Sequence, residues 1–171
     1  MKIKLSKLLV ISFCLGIFIG CDKDGVREEL LTEQQKAAEK EAIVQVLNVY
    51  NEATNTRNWS KMVTTLSDEV TFFGTDSGEV SSNFNEFKNT IQKQWDEYEV
   101  FEYGELHNLY IELDDYARYA NVIFGSPVIY GRKGERPDTI FALFQRSLRK
   151  DTRTKTWHIR SGILSISRTA H

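Results

Sequence analysis

Apolar residues along the chain follow a helical period in the first half and a strand period in the second. Thr32-x-x-Gln35 has the spacing of a capping box, in which the threonine hydroxyl satisfies an orphan amide at a helix start. Downstream, Ile43, Val46, Leu47 and Tyr50 stand at i, i+3, i+4 and i+7, one stripe of a helix running to about Thr54. The polar stretch Asn55-Thr56-Arg57-Asn58 breaks it. Trp59, Met62, Val63 and Leu66 repeat the spacing on a short second helix. Phe84, Phe87, Ile91 and Trp95 mark a third, started by Ser81 or Ser82. Between the second and third lies Val70-Thr71-Phe72-Phe73, a short strand that runs into the turn-rich Gly74-Thr75-Asp76-Ser77-Gly78-Glu79.

After Trp95 the pattern changes to strands. Residues 98–112 alternate and end at Asp114-Asp115, a hairpin turn; residues 116–130, 138–149 and 156–167 follow as further strands. Helices gathered at the front and hairpin-linked strands at the back predict an α+β domain: three N-terminal helices packed on a strongly curved antiparallel sheet, a cone-shaped α+β barrel over about residues 33–168. A twisted sheet with amphipathic helices on one face buries a core and leaves a cavity at its open end.

The first twenty residues do not belong to that pattern. Lys2, Lys4 and Lys7 form a positive stretch, and Leu8 to Ile19 is a nearly unbroken apolar run. Such a run is too short to span a bilayer comfortably and fits a removable export signal. It ends Ile17-Phe18-Ile19-Gly20-Cys21, which resembles a bacterial lipobox, although Phe18 is bulkier than the usual leucine. The resemblance implies that residues 1–20 are a lipoprotein signal peptide. Cys21, acylated (palmitate among the acyl groups), then anchors the protein in a membrane of the cell envelope, outside the cytoplasm. Residues 21–32 then read as a polar tether.

Both cysteines, Cys14 and Cys21, fall in this leading segment. The folded part therefore has no thiol, which excludes a disulfide scaffold, a thiolate metal site and a cysteine nucleophile. The whole chain carries 22 basic and 24 acidic side chains, and loss of three lysines with the signal leaves a net charge of about −5. A mildly acidic domain is a poor fit to nucleic acid.

Several local stretches carry a family likeness: Ile43 to Tyr50, Trp59 to Leu66, the run Asp68-Glu69-Val70-Thr71-Phe72-Phe73-Gly74-Thr75-Asp76, and Trp157-His158-Ile159. With the element order, they resemble a SnoaL-like member of the nuclear transport factor 2-like superfamily, which also contains ketosteroid isomerase. The likeness covers about residues 35–167. The fold hosts isomerases, cyclases, dehydratases, association domains and binders, so activity has to be argued from the site. Ketosteroid isomerases place an oxyanion-hole tyrosine on the first helix and a general-base aspartate at the end of the first strand. Tyr50 falls on the first position, but Gly74, which can abstract no proton, falls on the second. Related sequences often carry an inward histidine and then a serine on the last strand; here Ile163 and Ser165 hold those places.

The candidates that follow are these. Tyr50, Trp59, Phe72 and Trp95 supply pocket walls, Asp76 or Glu79 a polar mouth, and Ile163 and Ser165 the end of the last strand. Asp76 as base and Tyr50 as oxyanion donor are the catalytic alternatives. His107, His158 and His171 lack metal-site spacing, and no cofactor motif is present. Arg118, Arg146, Arg149 and Arg160 read as cross-strand ion pairs on an exposed face or, alternatively, as a guanidinium for a carboxylate ligand. The expected function is a lipid-anchored domain binding a small apolar or amphipathic molecule. The alternatives are proton-transfer catalysis and a homodimerising module using the outer sheet face.

Overall fold

A computed structural model describes residues 30–75 and 79–166. The order of elements is α1 (Glu33–Asn55), α2 (Trp59–Val63), β1 (Leu66–Phe73), β2 (Val80–Ser81), α3 (Phe84–Glu97), β3 (Tyr98–Tyr103), β4 (His107–Leu113), β5 (Tyr119–Arg132), β6 (Asp138–Lys150) and β7 (Trp157–Ile166). Cys21 and the leading segment lie outside the described residues. No helix among the described residues is long and apolar enough to cross a membrane.

Thr32 closes the expected capping box: its hydroxyl accepts from the Gln35 amide, and the Gln35 side chain accepts from the Thr32 amide at 2.8 Å. Ile43, Leu47, Tyr50 and Ala53 form the buried stripe of α1. Helix α3 is capped by Asn83, whose side chain accepts from the Glu86 amide at 3.0 Å, and not by Ser81 or Ser82. Ser81 instead belongs to the short β2, which pairs with the end of β1. Leu66, expected on α2, opens β1; the helix stops at Val63.

The expected α+β layering holds. Sheet order is β2-β1-β7-β6-β5-β3, with β4 also on β5. The sheet is mixed, not antiparallel throughout, because β7 returns alongside β1 in parallel register. The single strand expected over 98–112 is two, β3 and β4, both antiparallel to β5. They part opposite Pro127, which has no N–H to offer a neighbouring strand; the Gly104 amide donates instead to the Pro127 carbonyl at 2.8 Å.

Three polar side chains fix the helices on the sheet. The Glu39 carboxylate accepts from Lys150 Nζ at 2.5 Å and Trp157 Nε1 at 2.8 Å, tying α1 to β6 and β7. The Asn55 side chain exchanges two hydrogen bonds with the Tyr103 backbone, at 2.9 and 2.8 Å, which registers the end of α1 against β3. Arg57 donates to the carbonyls of Trp95, Tyr98 and Glu99, gathering the end of α3 and the start of β3. Between the layers the core is continuous from Ile43 and Leu47 through Val70, Phe87 and Ile91 to Val122, Phe124, Phe144, Leu148 and Ile159.

Candidate ligand-binding site

The concave side of the sheet, together with α1 and α3, encloses a cavity of about 430 Å³. This size falls at the lower end of small-molecule pockets. Buried positions form its depth: Tyr50 of α1, Phe87 and Ile91 of α3, Ser81 of β2 and Arg146 of β6. Phe72, Tyr103 and Leu164 are partly buried and line it from β1, β3 and β7. Glu79, Lys93, Glu97 and Arg132 are exposed and form the polar margin, where Arg132 Nη2 donates to Glu97 at 2.5 Å.

The wall is aromatic. Phe72 and Phe87 stack with ring centroids 4.4 Å apart, and Tyr50 lies almost parallel to Phe72 at 6.2 Å. Tyr103 also stacks with Tyr50, at 6.5 Å, and the Asn55–Tyr103 bonds hold its backbone there. Among the described residues, neither tyrosine hydroxyl has a hydrogen-bond partner. Burial is the main cause that raises both phenols above their ordinary range. For Tyr50 the neighbouring Tyr103 adds to the rise and the Arg146 charge opposes it; for Tyr103 Arg146 again opposes and Glu79 adds. Both hydroxyls therefore remain protonated donors across the physiological range.

Arg146 is the least expected member of the site. It is only 3 % exposed, and its guanidinium carbon lies 4.7, 5.1 and 5.7 Å from the ring centres of Phe72, Phe144 and Tyr50. Its Nη1 donates to the carbonyls of Gln145 at 3.1 Å and Ile163 at 3.3 Å. Burial lowers its pKa, because desolvation disfavours the charged form, while the two tyrosines oppose this. The space for it comes from a glycine. Gly162 of β7 stands between Phe72 of β1 and Arg146 of β6 in the strand registers. A Cβ there would strike both the Phe72 ring and Arg146 Nη1.

The residues read from the sequence divide. Tyr50, Phe72 and Glu79 line the cavity, and Gly74 is part of its wall, with the Glu79 side chain covering the place where a Cβ on Gly74 would lie. Asp76 lies outside the described residues. Trp59 packs instead on Phe84 and Phe87. Trp95 is buried in the core and is not part of the lining. Ile163 and Ser165 do not point into the cavity; both are exposed, and Gly162 and Leu164 face inward in their place. The cause is a bulge. Ser147 pairs with Ser161 and Leu148 with Ile159, so Arg160 is an extra residue and the alternation reverses beyond it.

The arginines also need correction. Arg160 of β7 pairs with Glu69 of β1 at 3.5 Å, a cross-strand pair as the preferred reading had it, whereas Arg118 pairs with Asp114 at 3.7 Å within the turn between β4 and β5. Arg146 faces inward and has no such carboxylate among the described residues. A sequence signal for it exists: Arg146 is in phase with Ile140, Ala142, Phe144 and Leu148, the more uniformly apolar set of β6. No group of histidine and acidic side chains that could hold a metal ion is present among the described residues.

Helices over a half-closed mixed sheet, with a cavity between them, define a nuclear transport factor 2-like fold. Solved structures with this fold include a candidate scytalone dehydratase from Novosphingobium aromaticivorans, 14% identical, with a TM-score of 0.71 over 80% of this chain and 89% of that one. Another is the hexachlorocyclohexane dehydrochlorinase LinA-type3 from Novosphingobium barchaimii, 12% identical, with a TM-score of 0.70 over 80% and 90%. A third is a candidate dehydratase of the nuclear transport factor 2-like family from Streptomyces avermitilis, 10% identical, at 0.69 over 78% and 99%. Identities this low establish the fold alone. Within that fold, residues 43–122 match the model of the SnoaL-like domain, the family that the sequence resembles. No match was found among curated protein sequences.

Proposed function

We propose that this is a small-molecule-binding domain, anchored outside the cytoplasm to a membrane of the bacterial cell envelope by an acylated Cys21. The observation that carries the reading is the 430 Å³ cavity with a stacked aromatic wall, open at a polar margin. Stacked rings present apolar area at low entropic cost, and burying an apolar ligand against them supplies on the order of 25 cal/mol per Å². Native mass spectrometry of the purified full chain tests it. A co-purifying small molecule that is lost when Tyr50 and Phe72 are replaced by alanine is expected. A cavity that retains nothing and takes up no apolar probe counts against the reading. The anchor has its own test: Cys21→Ala should shift the protein from the membrane to the soluble fraction, and unchanged membrane retention would remove the lipoprotein assignment.

One observation favours proton-transfer catalysis as a second reading. The Glu79 carboxylate covers Gly74, close enough to Tyr103 to raise its pKa, and similar folds occur in a dehydrochlorinase. A carboxylate and an oriented phenol are the groups such chemistry needs. If the retained molecule is chemically converted on incubation, and Glu79→Gln stops conversion without preventing binding, the enzymatic reading replaces the binding one.

The outer sheet face supplies the remaining proposal, a homodimer. Ile123, Phe141, Leu143 and Ile163 are all nearly half exposed there, and clustered apolar surface of this kind marks association sites.

A further inference from the structure

Arg146 poses a question that the aromatic wall does not answer. A guanidinium carries five N–H donors. Two directions are used by Nη1 toward the Gln145 and Ile163 carbonyls, both neutral acceptors. Nε and Nη2 have no partner among the described residues. They are also not among the sealed, unpartnered side-chain atoms, which are Trp95 Nε1 and His158 Nδ1. Their free N–H groups therefore open into the cavity that Arg146 lines. Ring faces of Phe72, Phe144 and Tyr50 ease the burial of the cation, but they leave its charge unneutralised. An isolated buried charge is costly, and natural proteins pair it.

We infer that the cavity takes a small carboxylic acid, its carboxylate seated on the free edge of Arg146 and its apolar body against Phe72, Phe87 and Ile91. The inference rests on the cavity being the ligand site, as proposed above. The guanidinium fork matches the two oxygens of a carboxylate, and the unpartnered Tyr50 and Tyr103 hydroxyls add neutral donors beside it. One buried cation balances one negative charge. A phosphate dianion would leave an excess charge over the one buried cation. The exposed margin adds no net charge, since Glu79 and Glu97 stand there with Lys93 and Arg132.

The test is calorimetric titration of the full chain with acid–amide pairs of matched shape: benzoate and benzamide, naphthoate and naphthamide, octanoate and octanamide. In the pair that fits, the acid is expected to bind about tenfold or more tightly than its amide. Arg146→Gln should remove that gap while leaving amide affinity in place, and Arg146→Lys should restore part of it. If Arg146→Gln does not fold, the gap measured on the unmodified protein decides alone. Amides binding as well as their acids would overturn the carboxylate assignment and leave the pocket reading standing. Phenyl phosphate binding more tightly than benzoate would overturn the choice of a monoanion. If no member of any pair binds below about 10 mM, the inference and the pocket reading fall together.

Discussion

Strand β6 shows the two faces of the sheet side by side. On its concave side Ala142, Phe144 and Leu148 are buried, and among them sits the charged Arg146. On its convex side Phe141 and Leu143 are nearly half exposed, followed by the polar Gln145. The usual sorting of apolar inward and charged outward is thus inverted at Arg146 on one face and at Phe141 and Leu143 on the other. Inside, a cation is buried beside a cavity; outside, large apolar groups face solvent. Both departures carry a free-energy cost, and the proposals above assign each to a molecule outside the chain: a ligand on one side and a second copy on the other.

The largest effect that separates the faces is on stability. Phe144 is 2 % exposed, stacks on Phe124 with centroids 5.0 Å apart, and supports Arg146 from below. Phe144→Ala should cost about 3–5 kcal/mol, the range for emptying an aromatic core site. Urea unfolding followed by far-ultraviolet circular dichroism measures it. A loss below about 1 kcal/mol would mean that the concave face is not the load the fold depends on, and the contrast between the faces would collapse.

A smaller effect belongs to the concave face under alkaline conditions. Burial raises the folded-state pKa of Tyr50 above its ordinary value of 10. Between the unfolded and folded values, the unfolded chain releases a proton that the folded one keeps. The contribution is therefore fully present below pH 10 and is lost as pH rises through the folded value, by up to about 1.4 kcal/mol per pH unit. Absorbance of phenolate against pH should show Tyr50 silent until the protein unfolds, and Tyr50→Phe should flatten the decline in stability above pH 10. A Tyr50 that titrates at its ordinary pKa in the folded protein would show that water reaches its hydroxyl freely, contrary to the enclosed geometry.

The same contrast explains what the sequence could and could not reveal. Helices α1 and α3 were legible because their stripes, Ile43-Leu47-Tyr50 and Phe87-Ile91-Trp95, alternate with strongly polar faces. Strand phase was harder, because β6 and β7 carry apolar residues on both faces and period-2 alternation then has no preferred side. Arg146 was drawn to the surface by its charge, whereas its in-phase neighbours Phe144 and Leu148 fix it inside. Ile163 and Ser165 were misplaced by one residue, since the bulge at Arg160 reverses the alternation and leaves no local signature in composition. Trp59 and Trp95 lie on the right elements; their direction depends on how the helices roll against the sheet, a tertiary property. The SnoaL-like resemblance, by contrast, rests on element order and several local stretches, which survive such slips.

The smallest change in stability is expected on the convex face, and it separates folding from association. Leu143 is 48 % exposed and stands opposite Gly125 of β5 and Ser165 of β7, so its side chain has small cross-strand neighbours. Phe141 lies over Gly125, where a Cβ would strike its ring, so the patch is shaped by the absence of a side chain there. Replacing Leu143 with lysine removes little buried area and keeps a long side chain on a strand. Unfolding free energy measured at low protein concentration should therefore change by no more than about 0.5 kcal/mol. Sedimentation velocity should read the other quantity. If the face pairs two copies, two like charges are introduced into one isologous contact, because a two-fold interface repeats every substitution, and the dimer boundary should disappear. A dimer that persists in Leu143→Lys would place the contact elsewhere. A monomer in the unsubstituted protein at high concentration would leave Ile123, Phe141, Leu143 and Ile163 as a patch for a different partner, and the concave and convex faces would then differ in their ligands alone.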